Sequence, residues 1–204
     1  MIRTLAAEFI GTALLLIGVV GSGIMGEAFA DGNAAIALLA NAIATGCMLY
    51  VIITTLGPIS GAHFNPVVTL YFATTAGFEK SHILPYWIAQ ITGGIIGVWL
   101  THVMFDLAIL QTAGTDRGGV NQWASEIIAT FGLLFVIIGG LKSNAANVPS
   151  LVALYITGAY WFTSSTSFAN PAVTIARGFS DTFAGINPAH IVGFIAAQLI
   201  GMGI

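Results

Sequence analysis

Charge is the scarcest property of this chain. Five lysines and arginines and eight aspartates and glutamates make up 6% of its 204 residues, about a quarter of the share a soluble domain carries. A water-facing surface cannot be built from so few, and a large extramembrane domain is excluded. The basic residues form no run or stripe and the net charge is -3, so nothing here would track a phosphate backbone. Nucleic acid is excluded as a partner. Cysteine is nearly absent too. Cys47 stands alone in an apolar run, which rules out an intramolecular disulfide and leaves structural packing as its reading. No histidine pair has metal-ligand spacing and no serine has an obvious base, so the residues assign no metal, cofactor or enzyme chemistry.

Hydrophobic types fill the space that charge leaves. They make up 57% of the chain, mean hydropathy is +0.94, and 25 glycines sit largely inside the apolar runs. That pairing fits helices whose solvent is lipid. Apolar segments without interior lysine or arginine run over about 4–26, 34–57, 83–105, 123–141, 148–166 and 188–204, and each reads as a membrane span. The first imitates a secretory signal through Arg3 and the small-residue pattern Ala28-Phe29-Ala30. However, Glu8 interrupts it and its apolar run from Phe9 to Met25 is longer than a signal's core. The last span, 17 residues to Ile204, is at the short limit for crossing, as if the chain were trimmed there.

Pro58–Ala76 and Ser167–Phe179 are too apolar for solvent loops, and their helix-compatible parts are too short to cross. Each contains Asn-Pro. Proline needs no donor at the first helical position and asparagine caps well, so helices should start at Pro66 and Pro171. About ten residues would give roughly 15 Å, half of a ~30 Å hydrocarbon core.

These two half-helices belong to an internal repeat. His63-Phe64-Asn65-Pro66-Val67-Val68-Thr69 returns as Phe168-Ala169-Asn170-Pro171-Ala172-Val173-Thr174, 105 residues on. Glu8-Phe9-Ile10-Gly11-Thr12 matches Glu126-Ile127-Ile128-Ala129-Thr130, and Ala89-Gln90 matches Ala197-Gln198. The expected fold is therefore an all-α membrane protein: six transmembrane helices plus two half-helices in one channel domain, residues 1–204. Its repeats cover about 1–105 and 123–204. Three crossings per repeat invert the second against the first. Irregular backbone at membrane depth must line a cavity or be buried in protein, so the two Asn-Pro loops should meet.

With a cytoplasmic N-terminus, Arg3, Lys80 and Lys142 lie inside. Arg117 and Arg177 lie outside with Glu27, Asp31, Asp106, Asp116 and Asp181, a small positive-inside bias. The compact loops point to a bacterial inner membrane.

Two half-helices converging from opposite faces aim their positive ends at one spot and repel cations there. Asn65 and Asn170 would cap them and turn amide donors toward a lumen, reorienting a water column and suppressing proton hopping. Glu8 and Glu126 are the only acids within the spans. They read either as an ion or proton site or as acceptors for loop N–H groups that no secondary structure satisfies. His63 reads as pore lining, or as a packed loop histidine. His82, His102 and His190 lie near span ends and read as interface residues. Gly93 and Gly97 form a spacing that lets a neighbouring helix approach closely.

The chain resembles the major intrinsic protein family, the aquaporins and glycerol facilitators. The resemblance rests on Ser60-Gly61-Ala62-His63-Phe64-Asn65-Pro66-Val67, on Asn170-Pro171-Ala172, on the paired Glu8 and Glu126, and on the six-span layout. Val67 departs from the family's usual alanine. The resemblance implies a homotetramer with one pore per subunit, Glu8 and Glu126 as scaffold, and Asn65, Pro66, Val67, Asn170, Pro171 and Ala172 at the pore centre. It also implies an outer constriction at Thr45, Gly158, Ser167 and Val173. The arginine usual in that constriction is replaced by Val173.

Four small residues predict a wide neutral opening for water, small uncharged polyols such as glycerol, and metalloid hydroxides such as arsenous acid. Arg177, one turn beyond Val173, would hang over the outer mouth or pair with Asp181. Phe168, Tyr160 or Trp161 leaning inward would narrow the opening. The rivals are a water-selective pore, a coupled secondary transporter using Glu8 and Glu126, and a membrane scaffold with a vestigial pore.

Overall fold

A computed structural model describes every residue from Met1 to Ile204 and contains no strand. Eight α-helices follow in chain order: α1 (Ile2–Phe29), α2 (Ala34–Ser60), α3 (Pro66–Thr75), α4 (Ile83–Met104), α5 (Val120–Ser143), α6 (Val148–Phe162), α7 (Pro171–Arg177) and α8 (Pro188–Met202). Short 3-10 turns at Lys80–His82 and Ala145–Asn147 precede α4 and α6.

Local chemistry accounts for the helix starts. Asparagine caps α2, α3, α7 and α8 through Asn33, Asn65, Asn170 and Asn187, and in the last three proline follows at the first helical position. α2 runs three residues past its expected end, with Pro58 inside it. It closes at Gly61, whose φ of 87° is a conformation glycine adopts without penalty. α7 has seven residues, about 10 Å of rise, and is shorter than the ten expected. α6 ends at Phe162 rather than 166, because residues 163–170 form an irregular loop.

α1, α2, α5, and α4 with its preceding turn are long and apolar enough to cross a membrane. α6 and α8 have 15 residues each, about 22 Å. The packing is duplicated: α1 lies along α2 and α4 as α5 lies along α6 and α8. Likewise α3 touches α4 and α8 as α7 touches α8 and α4, and α2 meets α6 between the halves. The outward face is apolar, with Phe135 67%, Leu154 70% and Val192 76% exposed, as lipid contact requires. Cys47 is exposed on that face and not packed inside. It lies two residues, about 200° of helix, from the buried Thr45 and Leu49.

Glycine sets the closest approach. A Cβ on Gly93 or Gly97 of α4 would overlap the carbonyls of Phe9 and Ala13 in α1, and one on Gly201 of α8 would overlap Ile127 in α5. The Gly93/Gly97 spacing is therefore used within the chain. His102 is wholly buried, with Nδ1 2.8 Å from the Ile109 carbonyl and Nε2 3.0 Å from Ser180 Oγ. It ties two loops together and is not an interface residue. His82 and His190 do sit near the surface, beside Glu79 (3.4 Å) and Asp116 (2.7 Å).

Substituting Gly97 with leucine should separate α1 from α4 and markedly lower the melting temperature in detergent, since backbone cannot yield as a side-chain tip can. Gly139→Ala, where a Cβ meets nothing within 4 Å, should equal or slightly exceed the parent by helix propensity.

Candidate functional site: a cavity where two Asn-Pro loops meet

The loops before α3 and α7 carry unusual backbone. Ala62 (φ 51°) and Phe64 (φ 47°) are left-handed, and so are their repeat equivalents Ser167 (51°) and Ala169 (47°), with Thr166 (61°) beside them. Each costs about 1–2 kcal/mol relative to ordinary conformations. Left-handed residues in such a run turn successive N–H groups to one side, where an anion can collect them.

A buried carboxylate collects them in each half. Glu8 accepts from His63 N (3.0 Å), Phe64 N (2.7 Å), Ser60 Oγ (2.6 Å) and Gln90 Nε2 (2.8 Å). Glu126 accepts from Phe168 N (2.9 Å), Ala169 N (2.8 Å), Ser165 Oγ (2.6 Å) and Gln198 Nε2 (2.7 Å). The two glutamines also donate to Thr69 and Thr174, one turn into α3 and α7. Both acids have zero exposure, so every lone pair that water would have served is served by the loop and its supports. Neither faces the cavity described below.

The loops are also bonded to each other. Asn65 Oδ1 caps α3 by accepting from Val67 N (3.0 Å), and Asn65 Nδ2 donates to the Ala169 carbonyl (2.7 Å). Asn170 Oδ1 accepts from Ala172 N (2.9 Å), and Asn170 Nδ2 donates to the Phe64 carbonyl (2.8 Å). Each amide nitrogen has two hydrogens, so one holds the opposite loop and one is left over. Pro66, Val67, Pro171 and Ala172 are buried at the helix starts, off the cavity wall.

Around this junction lies a cavity of about 320 Å³ with a mainly hydrophobic wall. Asn65, Asn170, Thr45, Ser167, Val173, His63 and Arg177 all reach that wall, but Gly158 does not. Gly158 is exposed on the far side of α6. The stripe of α6 that faces inward is Val148, Val152, Ile156 and Tyr160, spaced one helical turn apart. Of the aromatics that could narrow the opening, Tyr160 and Phe168 line the cavity, while Trp161 is 48% exposed on the outside.

His63 lines the cavity and is also packed: its ring stacks on Phe72 at 5.1 Å and Nδ1 is 3.1 Å from Thr69 Oγ1. Arg177 is 2% exposed, with its guanidinium carbon 3.5 Å from the centroid of the Phe168 ring. Its Nε donates to the Ala184 carbonyl. It does not pair with Asp181, which instead accepts from Gly114 N at 2.9 Å.

Arg117, from the loop between α4 and α5, is a residue the sequence did not mark. Its guanidinium carbon lies 5.2 Å from the same Phe168 ring, and its N–H groups donate to the carbonyls of Gly185, Ser165 and Phe183. Burial pushes it below the ordinary arginine pKa. No spacing could have found it, because it arrives on a long irregular loop.

Exchanging Glu126 for glutamine turns an amide N–H toward donors and removes a charge-assisted acceptor. We expect a loss of about 3 kcal/mol, read by denaturant titration in detergent. Glu8→Gln should behave alike, and parent-like stability in both would contradict this assignment of their role.

Comparison with known proteins agrees with the geometry. Residues 1–165 match the family described as Major intrinsic protein. The chain is 51% identical over 199 residues to the aquaglyceroporin AqpS of Rhizobium meliloti (strain 1021), covering 98% of this chain and 85% of that protein. It is 32% identical to nodulin-26 of Glycine max, covering 100% and 71%. It also matches the X-ray structure of the aquaglyceroporin from Plasmodium falciparum with a TM-score of 0.78, covering 98% and 92% of the two chains. At 19% identity that likeness shows the shared fold. The chain therefore belongs to the major intrinsic protein family, as a multi-pass membrane channel and not an enzyme.

Proposed function

We propose that this channel is a passive facilitator for water and small uncharged solutes, including polyols such as glycerol and metalloid hydroxides such as arsenous acid. The observation that carries this reading is the largely apolar cavity at the point where α3 and α7 begin. Helix starts on both sides make the junction positive and unfavourable for cations. The second amide hydrogens of Asn65 and Asn170 are donors that a passing molecule must accept from. A water file gripped by two fixed donors points its hydrogens outward on both sides, which interrupts proton hopping.

The solute range rests on what stands at the outer end. Thr45, Ser167 and Val173 are small, and Val173 supplies neither the fixed donors nor the charge of an arginine. Arg177, one turn farther out, supplies positive charge at the mouth. Coupled transport is disfavoured because Glu8 and Glu126, the only buried acids within the spans, have their acceptor sites filled by the protein and lie off the cavity.

In the membrane, α1, α2, α4, α5, α6 and α8 make six crossings, with α3 and α7 as the half-helices of an inverted repeat. The N-terminus is cytoplasmic, consistent with Arg3, Lys80 and Lys142 on one side, and the membrane is a bacterial inner membrane. A homotetramer with one pore per subunit follows the family pattern.

Proteoliposomes challenged in turn with sucrose, glycerol and arsenous acid at matched osmolarity, and followed by stopped-flow light scattering, test this reading. Fast shrinkage in all three and fast reswelling in the last two is expected. Fast shrinkage without reswelling would make the channel water-selective, and rates no faster than bare liposomes would contradict a channel altogether.

A further inference from the structure

Tyr160 stands where the four-residue constriction implied by the resemblance leaves a gap. Gly158, the α6 member of that set, is exposed on the outer side of its helix, about 200° of rotation from Tyr160. Tyr160 is 3% exposed and lines the cavity. Its phenol oxygen lies 3.1 Å from Thr45 Oγ1, a hydrogen bond from α6 to α2 that holds the ring in place. Thr45 lines the same cavity.

A second observation points to a solute at this level. Ser167 Oγ is buried, belongs to a residue on the cavity wall, and has no hydrogen-bond partner in the protein. A buried hydroxyl left unpaired is costly, unless a molecule in the cavity pairs with it. Val173 and the Phe168 ring give the same wall an apolar part.

We infer that Tyr160 is the size-determining residue of this channel, and that it completes with Thr45, Ser167 and Val173 an outer constriction that reads small polyhydroxy solutes. The inference rests on the proposed passage of uncharged solutes and names the side chain that limits them. The ring narrows an opening that four small residues would leave wide. The Thr45 bond keeps it from swinging aside. Hydroxyls on one part of the wall and apolar groups on another suit a solute with an oxygen-bearing edge and a hydrocarbon edge.

The test compares Tyr160→Ala, Tyr160→Leu and Gly158→Leu with the parent, each in proteoliposomes, reading shrinkage and then reswelling in glycerol and in erythritol. Removing the ring should raise the erythritol-to-water permeability ratio about tenfold, on the scale by which a filled or emptied pocket changes discrimination. Tyr160→Leu, which keeps an apolar side chain against its neighbours, should raise the ratio less, and it decides the question if the alanine variant is not recovered folded. Gly158→Leu should match the parent for both solutes, because its side chain points away from the cavity.

An unchanged erythritol-to-water ratio in the folded Tyr160 variants would overturn the inference. So would exclusion of glycerol by Gly158→Leu. A parent that passes water but no glycerol would instead contradict the proposed solute range, while glycerol entry gained in Tyr160→Ala would still support the role of Tyr160.

Discussion

Each half of this molecule depends on one buried carboxylate accepting hydrogen bonds from a loop that has no secondary structure of its own. Five left-handed residues that are not glycine occur in the two loops, and inside an apolar helix bundle their N–H groups would otherwise be orphaned. Glu8 and Glu126 supply the acceptors, and Gln90 and Gln198 fix the carboxylates from α4 and α8. The acids are not isolated charges in a membrane: four donors each take the place of water.

The cross-bonding of the loops follows from that support. With both backbones held, the Asn65 and Asn170 amides can each cap their own helix and reach the opposite loop's carbonyl. α3 and α7 are thereby fixed start to start, with the two Asn-Pro loops held together at the cavity wall. The close seats of Gly93, Gly97 and Gly201 against α1 and α5 bring α4 and α8 near enough for their glutamines to serve. Packing, hydrogen bonding and the shape of the cavity are therefore parts of one arrangement, repeated in the two halves.

Much of this was legible in the sequence because its signals are local or duplicated. Asn-Pro specifies a helix start through chemistry within three residues, and the pairing of Glu8 with Glu126 and Gln90 with Gln198 showed which residues belong together. What escaped depended on helix phase or on long loops. The family resemblance implies Gly158 at the constriction by its distance from Asn170, but the irregular stretch 163–170 separates α6 from α7, so that distance carries no rotational phase across it. The i, i+4 stripe ending at Tyr160 was the usable signal. Arg117 reaches Phe168 only because its loop folds back toward the start of α7, and nothing in its neighbours announces that. Apolar surroundings suggest structural packing for Cys47, yet in lipid the outward face is apolar too, and Cys47 lies on it.

The central claim is that the Asn65 and Asn170 junction passes neutral molecules while breaking the proton path. It is tested most directly by measuring water flux and proton leak on the same proteoliposomes, loaded with a pH-sensitive dye. The account predicts fast osmotic shrinkage with the pH gradient decaying no faster than in protein-free liposomes. Water flux accompanied by rapid collapse of that gradient would contradict it.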